Sequence, residues 1–266
     1  MSRTMDKRKV YVFKIGGKVI DNVDARKSFL EGFAALSAVK MLVHGGGVIA
    51  EQLAEKLGVK SEMINGRRVT SKDMRDLVTM VYGGQINKSL VSELQAMDCD
   101  AMGLTGADGH IITSKKRDPT PIDFGFVGDV TEVRSHLLIA LLELSLTPVF
   151  APLSYDQEIL NTNADGIASA LAQSLVKGFE VHMMYAFEAP GVMLDLSDPT
   201  SLIPQLNYAR YRELLLDGVF TAGMLPKLEE CFKALRRGVQ SIVLADADNC
   251  LLAAAGKAFR GTRLVL

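Results

Sequence analysis

Short apolar runs alternate along the chain with stretches of helical spacing, the pattern of a parallel sheet with crossover helices. The run Val10-Tyr11-Val12-Phe13 predicts a buried strand over 10–15. Phe29, Phe33 and Leu36 give 25–38 a helical period, and 41–43 predicts a second strand. Gly45, Gly46 and Gly47 follow at once and open a helix through Leu57, stopped by Gly58 at its C′ position. Ser71 is the N-cap of a long helix reaching about Met97, with Gly83 and Gly84 as a point of interruption or bending.

A strand is predicted over 101–104. Residues 115–128 alternate in polarity and contain Pro119 and Pro121, which predicts a β-excursion or loop. A helix over 133–144, a return to the sheet at 148–152 and a helix over 165–176 follow. The alternation then repeats, with strands at 181–186, 241–245 and 263–266 and helices near 208–216, 224–237 and 249–255. The fold class is α/β, with a lobe boundary near Gly178 that divides the chain into 1–177 and 178–266.

The 266 residues suffice for one large domain or two lobes sharing a sheet. A net charge of −1 gives no electrostatic footprint for nucleic acid or an anionic membrane, although a nucleotide enzyme needs only local positive charge. Cys99, Cys231 and Cys250 form no CxxC pair and the histidines form no HExxH pattern, so no metal-ligand set is predicted. The sparse thiols read as reduced cysteines of a cytoplasmic protein. The basic residues Arg3, Lys7, Arg8 and Lys9 precede an apolar stretch broken by Lys14, without a signal-peptide cleavage site. No run of about 20 apolar residues predicts a membrane span.

Ala186-Phe187-Glu188-Ala189-Pro190-Gly191-Val192 follows the strand at 181–185, where a nucleotide could lie against the second lobe, and five further segments carry candidate chemistry. Lys14-Ile15-Gly16-Gly17 puts a lysine and two glycines where the first strand runs out, within reach of a phosphate. Val43-His44-Gly45-Gly46-Gly47 is either a tight strand-to-helix turn or an anion site at a helix N-terminus. Neither is a GxxxxGK[ST] loop. Asn65-Gly66-Arg67-Arg68 places two arginines in a turn, solvated or clamping a carboxylate. In Leu160-Asn161-Thr162-Asn163-Ala164-Asp165 the polar residues either cap a helix or point into a cleft at the sheet's C-terminal edge. Lys227, about one turn into a helix after Thr221-Ala222-Gly223-Met224, opposes the helix dipole, which favours a phosphate partner over a dipole-stabilising role.

Together with Gly125-Phe126-Val127-Gly128, and in this order along nearly the whole chain, these five segments resemble the amino acid kinase superfamily, most closely the N-acetylglutamate kinases. The resemblance implies a three-layer αβα sandwich about a central, mostly parallel sheet. It implies phosphorylation of the side-chain carboxylate of an N-acylated glutamate by ATP with Mg2+, giving an acyl phosphate in arginine biosynthesis. Lys14 and Lys227 then match the lysines that stabilise the transferring phosphoryl group, and Asp165 the aspartate that holds both. Gly45 and Gly46 match the substrate-gripping glycines, Arg68 the carboxylate-binding arginine and Asn161 the substrate-binding asparagine. Gly16, Gly17, Glu188, Gly191, Thr221, Gly223 and Met224 fall where the nucleotide is bound. The first lobe is implied to bind the acid and dimerise, the second to bind ATP. Such a transfer needs in-line positioning and dispersed positive charge, and a carboxylate ionised at neutral pH needs no general base.

Phe187-Glu188 departs from the family's Ser/Thr-Asp pair, keeping the acid but not the hydroxyl. The short stretch before the first strand lacks the helix that marks arginine-inhibited hexamers, so a homodimer without arginine feedback is expected. Arg67 beside Arg68 raises an acidic acyl group, succinyl in place of acetyl, against an ordinary surface arginine. Two alternatives stand apart. A kinase for aminoadipate or glutamate on a carrier protein needs a basic docking face, of which a near-neutral chain gives little sign. A silent metabolite-binding regulator has no need of Lys14, Asp165 and Lys227.

Overall fold

The computed structural model describes residues 7–64, 67–187, 189–195, 197–198, 200–220 and 224–266. Its main sheet has the strand order Gln205–Asn207, Thr262–Val265, Ser241–Ala245, Glu180–Ala186, Lys9–Ile15, Val39–His44, Thr147–Phe150, Ala101–Leu104. Neighbours are parallel except where Ser241–Ala245 meets Thr262–Val265. The first strand is central because it is buried on both faces. Val10 and Val12 enter one core, and Phe13 and Ile15 the other, the period of two that a doubly covered strand requires.

The face of Val10 and Val12 is covered by helices Ser135–Glu143, Ala164–Leu175, Tyr208–Leu216 and Met224–Arg236. The opposite face is covered by Val23–Ala35, Gly47–Leu57, the long helical segment beginning at Lys72, and Ala247–Ala254. This is the three-layer sandwich. Both cores draw on residues from each side of Gly178, and the sheet runs unbroken across it.

Several helix ends are set by the residues the sequence supplies for them. Asn22 accepts from the Ala25 N–H at 2.9 Å and Ser71 from the Met74 N–H at 3.2 Å, and Gly58 ends its helix at φ 68°. The helix begun by Ser71 is continuous but not uniform. Lys72–Val78 and Asn87–Gln95 flank a π-helical stretch, Thr79–Ile86, which contains Gly83 and Gly84. The helix widens there without breaking, and the widened stretch carries Tyr82 and Ile86 to the glycine-rich turn at Gly46.

The excursion expected over 115–128 is larger than its polarity pattern. Ile112–Lys116 and Gly128–Val133 belong to a second sheet with Leu153–Asp156 and Glu158–Asn161. The β-branched Val130, Thr131 and Val133 extend the strand through Val133, so the helix expected from there starts at Ser135. Arg67 and Arg68 lie not in a turn but on the returning strand of a hairpin, Glu62–Ile64 with Arg67–Val69. The helix Gly17–Asp21 and the strand Gln205–Asn207 are too short for a periodic signal. No helix among the described residues is long and apolar enough to cross a membrane. Cys99, Cys231 and Cys250 are buried free thiols, and burial pushes the latter two well up, away from thiolate reactivity.

Candidate active site

Alternation along the first strand decides where Lys14 points. It follows Val10 and Val12 on the face covered by helix Ala164–Leu175, and it lies in register between Val43 and Tyr185. There its ammonium meets the Asp165 carboxylate at 2.8 Å. Asp165 stands in the first turn of that helix because Asn163 caps it, accepting from the Asp165 N–H at 2.7 Å. Capping and cleft therefore divide the polar segment between them. Asn163 caps, while Asn161 bonds Thr70 and Asp165 pairs with Lys14.

Lys227 reaches the same place from the far side. It is one turn into helix Met224–Arg236, and its ammonium lies 5.1 Å from the centroid of the Phe187 ring. Burial pushes the Asp165 carboxyl up, but the charges of Lys14 and Lys227 and the Lys14 hydrogen bond outweigh it, and the carboxyl ends below its ordinary range. Two ammonium groups thus act on one carboxylate, leaving an excess of positive charge at the sheet's C-terminal edge. The Tyr185 hydroxyl donates to the Asp165 carbonyl at 3.3 Å and ties the helix start to the central strand.

The glycine-rich turn closes the site beside Lys14. Gly45 donates its N–H to the Ile15 carbonyl at 3.1 Å, so it fastens the ends of two neighbouring strands together. The next amides open helix Gly47–Leu57, where the first N–H groups lack intrahelical partners and favour an anion. Gly46 has φ 154° and ψ 17°, and a Cβ there would lie 2.3 Å from Ile86 Cδ1. Beneath the turn His44 is fully buried, bonded from Nδ1 to the Gly45 carbonyl at 2.7 Å. A carbonyl only accepts, so Nδ1 carries the proton, and Nε2 accepts from the Asn87 amide at 3.2 Å.

Burial pushes His44 down to about 4, the bond to Gly45 offsetting only part of it. The unfolded imidazole, near 6.5, binds a proton that the folded one refuses, so stability is lost as pH falls from 6.5 toward 4. The expected loss from this group is about 2 kcal/mol by about pH 5. Urea unfolding at about pH 7 and 5 should show a smaller pH-dependent loss for His44→Gln than for the parent. Equal losses would assign the pH dependence to other groups.

A second wall is built around Thr70. The Asn161 amide donates to Thr70 Oγ1 at 3.0 Å, the Phe126 N–H to the Thr70 carbonyl at 2.8 Å, and the Asn161 N–H to the Phe126 carbonyl at 2.9 Å. A Cβ on Gly125 would lie 2.3 Å from the Thr70 carbonyl oxygen, which explains the glycine at φ 70°. Arg68, two residues from Thr70, is committed to internal partners. Its guanidinium bonds Glu51, Ser61 Oγ and, at 3.1 Å, the Gly47 carbonyl in the first turn of the glycine-led helix. Arg67 is exposed.

Of the remaining residues singled out for the nucleotide, Gly16 follows the first strand with open space where a Cβ would point, and Gly17 opens helix Gly17–Asp21. Gly191 is buried, and a Cβ there would lie 2.6 Å from Leu202 Cδ1 and 2.7 Å from Thr262 Oγ1, so packing alone demands glycine. Met224 begins the helix that carries Lys227 and packs on the core. Glu188, Thr221 and Gly223 lie outside the described residues, as do Asn65 and Gly66. Sequence reasoning missed Tyr185, His44 with Asn87, and Glu51 with Tyr82. The one signal available beforehand was His44 in an otherwise apolar strand end.

The amino acid kinase family model matches residues 9–246. An acetylglutamate kinase of Cytophaga hutchinsonii is 45% identical over 261 residues, covering 97% of this chain and 99% of that protein. One from Parabacteroides distasonis is 44% identical, covering 91% of this chain and 95% of that protein. Among solved structures, a Streptococcus mutans protein superposes with a TM-score of 0.77 at 27% identity, covering 96% of this chain and 98% of its own.

Proposed function

Because the chain belongs to the amino acid kinase family, and within it to the acetylglutamate kinases, we propose that it phosphorylates the side-chain carboxylate of N-acetyl-L-glutamate at the expense of ATP in arginine biosynthesis. The observation that carries this reading is the convergence of Lys14 and Lys227 on Asp165 at the C-terminal edge of the sheet. A carboxylate oxygen of the acid attacks the γ-phosphorus of ATP, the bond to the β,γ-bridging oxygen breaks, and ADP leaves with the displaced electron pair. No proton moves in that step, so the groups required are cations and N–H donors.

In this reading Lys14 and Lys227 meet the charge on the transferring phosphoryl oxygens, and Asp165 orients them without cancelling both. The amides from Gly46 onward and the open backbone at Gly16 and Gly17 suit phosphate or carboxylate oxygens. Asn161, held by one amide N–H, keeps its carbonyl for an acyl amide N–H. Among the described residues no cluster of three acidic, His or Cys side chains stands ready for a metal. Mg2+ therefore fits as an ion brought on the phosphates of ATP, where it neutralises their charge. Residues 1–177 contribute the acid-binding groups, and 178–266, with Met224 and its helix, the nucleotide side. A homodimer agrees with the edge strand Ala101–Leu104, where Met102 is 41% exposed. Buried, unpaired thiols agree with a cytoplasmic setting.

The test is ADP release in a coupled assay across a panel of acyl acceptors. N-acetyl-L-glutamate should give turnover, and absence of turnover with every N-acylglutamate would overturn the proposal. N-succinyl-L-glutamate is the informative comparison, because Arg67 adjoins Arg68 on the same hairpin strand. A higher kcat/KM for it would move the reading to an acidic acyl group.

Arg68→Ala should raise KM for the acid about tenfold or more with a smaller change in kcat, as loss of a charge-assisted bond implies. Its guanidinium already serves Glu51 and Ser61, so the incoming carboxylate meets the remaining N–H donors. An unchanged KM would leave Arg68 as a support for the glycine turn alone.

A further inference from the structure

Lys227 sits where one local effect works against it and its nearby carboxylate is shared. The dipole of helix Met224–Arg236 opposes a positive charge one turn from its N-terminus, and the Asp165 carboxylate is already bonded to Lys14 at 2.8 Å. What lies against the Lys227 ammonium is the Phe187 ring, 5.1 Å away at its centroid. Phe187 follows directly on strand Glu180–Ala186, and its N–H donates to the Ala245 carbonyl at 2.9 Å. Its side chain packs on the same core as Val181, Met183 and Tyr185. One face of one central strand therefore touches both halves of the charged cluster, Tyr185 through the Asp165 carbonyl and Phe187 through Lys227.

We infer that Phe187 is a positioning residue for Lys227, its ring face holding the ammonium at the cleft without neutralising it. The inference rests on the role proposed above for Lys227 in phosphoryl transfer. A ring attracts a cation through its quadrupole and carries no formal charge. A carboxylate in its place would hold Lys227 more firmly but cancel the charge that the transferring phosphoryl group needs. The alternation of partners gives the site one neutralising group, Asp165, and one neutral cradle, Phe187, for two ammonium groups.

The experiment replaces Phe187 by mono-, di- and trifluorophenylalanine, which drain the ring face at nearly constant shape, and by Leu and Tyr. Each variant is measured for kcat, KM and melting temperature, and the Leu change is repeated in a Lys227→Ala background. Stepwise loss of kcat with fluorination is expected, with KM for the acid little changed. Phe187→Leu should lose about 2- to 30-fold in kcat, the range of a cation–π contact, and Phe187→Tyr less. In the Lys227→Ala background Phe187→Leu should cost nothing further, because the interaction is already gone. A flat fluorine series, or an equal Leu effect in both backgrounds, would overturn the inference while leaving Lys227 in its role. If Lys227→Ala itself kept full kcat, the role of Lys227 would fall, and this inference with it.

Discussion

Lys14→Ala is expected to lower kcat by about 10²–10³-fold, the cost of removing one preorganised donor from a developing charge. KM for ATP and for the acid should change far less, because the charge it meets is greatest in transit. The position is suited to that task. The Lys14 side chain is only 15% exposed and is fixed by a strand paired on both sides, so no reorganisation is needed when the phosphoryl group passes. Asp165 orients the ammonium at 2.8 Å, and Lys227 offsets what that carboxylate subtracts. Without Lys14, burial regains weight at Asp165 and its carboxyl titrates at higher pH than in the parent. The acid limb of the pH–kcat profile should move upward accordingly. Saturation kinetics at several pH values measure both effects. A change confined to KM for ATP would make Lys14 an anchor of the bound nucleotide and not a stabiliser of its transfer.

The parts of this site that were legible are those whose signal is local. The apolar run before Lys14, the glycines after Val43 and the Gly58 stop each follow from a few neighbouring residues, and each lies where the pattern puts it. The charged cluster was legible only through the resemblance, because no local rule connects Lys14 to Asp165 or to Lys227. Their meeting depends on parallel register between strands remote in sequence. The hairpin at Arg67 and Arg68 escaped because three-residue strands carry no period, and its arginines were mistaken for turn residues. His44 escaped for another reason. Its neutral state is set by burial, with Asn87 of a distant helix bonded to Nε2, and a histidine in the sequence carries no mark of burial. Phe187 read as a loss, since the missing hydroxyl is visible in the sequence and the lysine above the ring is not. At Gly191 the reverse holds, because the demand for glycine comes from Leu202 and Thr262, which are remote in sequence and leave no room for a side chain.

Gly46→Ala should be strongly damaging for a change of one methyl group. The added Cβ would lie 2.3 Å from Ile86 Cδ1 and 3.1–3.2 Å from the Tyr82 ring, at a φ of 154° that L-residues rarely adopt. Overpacking of this kind costs about 1–3 kcal/mol, and backbone strain adds about as much. The melting temperature should therefore fall by roughly 4 °C or more. The effect on turnover should be larger than the effect on stability. Tyr82 and Ile86 stand on the π-helical stretch that packs against the turn, and the Tyr82 hydroxyl shares the neighbourhood of Arg68. If the backbone yields, the amides that begin helix Gly47–Leu57 leave the line of the transferring group. If the side chains yield, Tyr82 presses on Arg68 and its bonds to Glu51 and Ser61. Displacement by about 1 Å at either place is enough to cost on the order of 10²-fold in kcat/KM. Kinetics at a temperature where the variant is still folded separate the two effects, and a folded Gly46→Ala protein with the parent's kcat/KM would show that the turn lies outside the reaction.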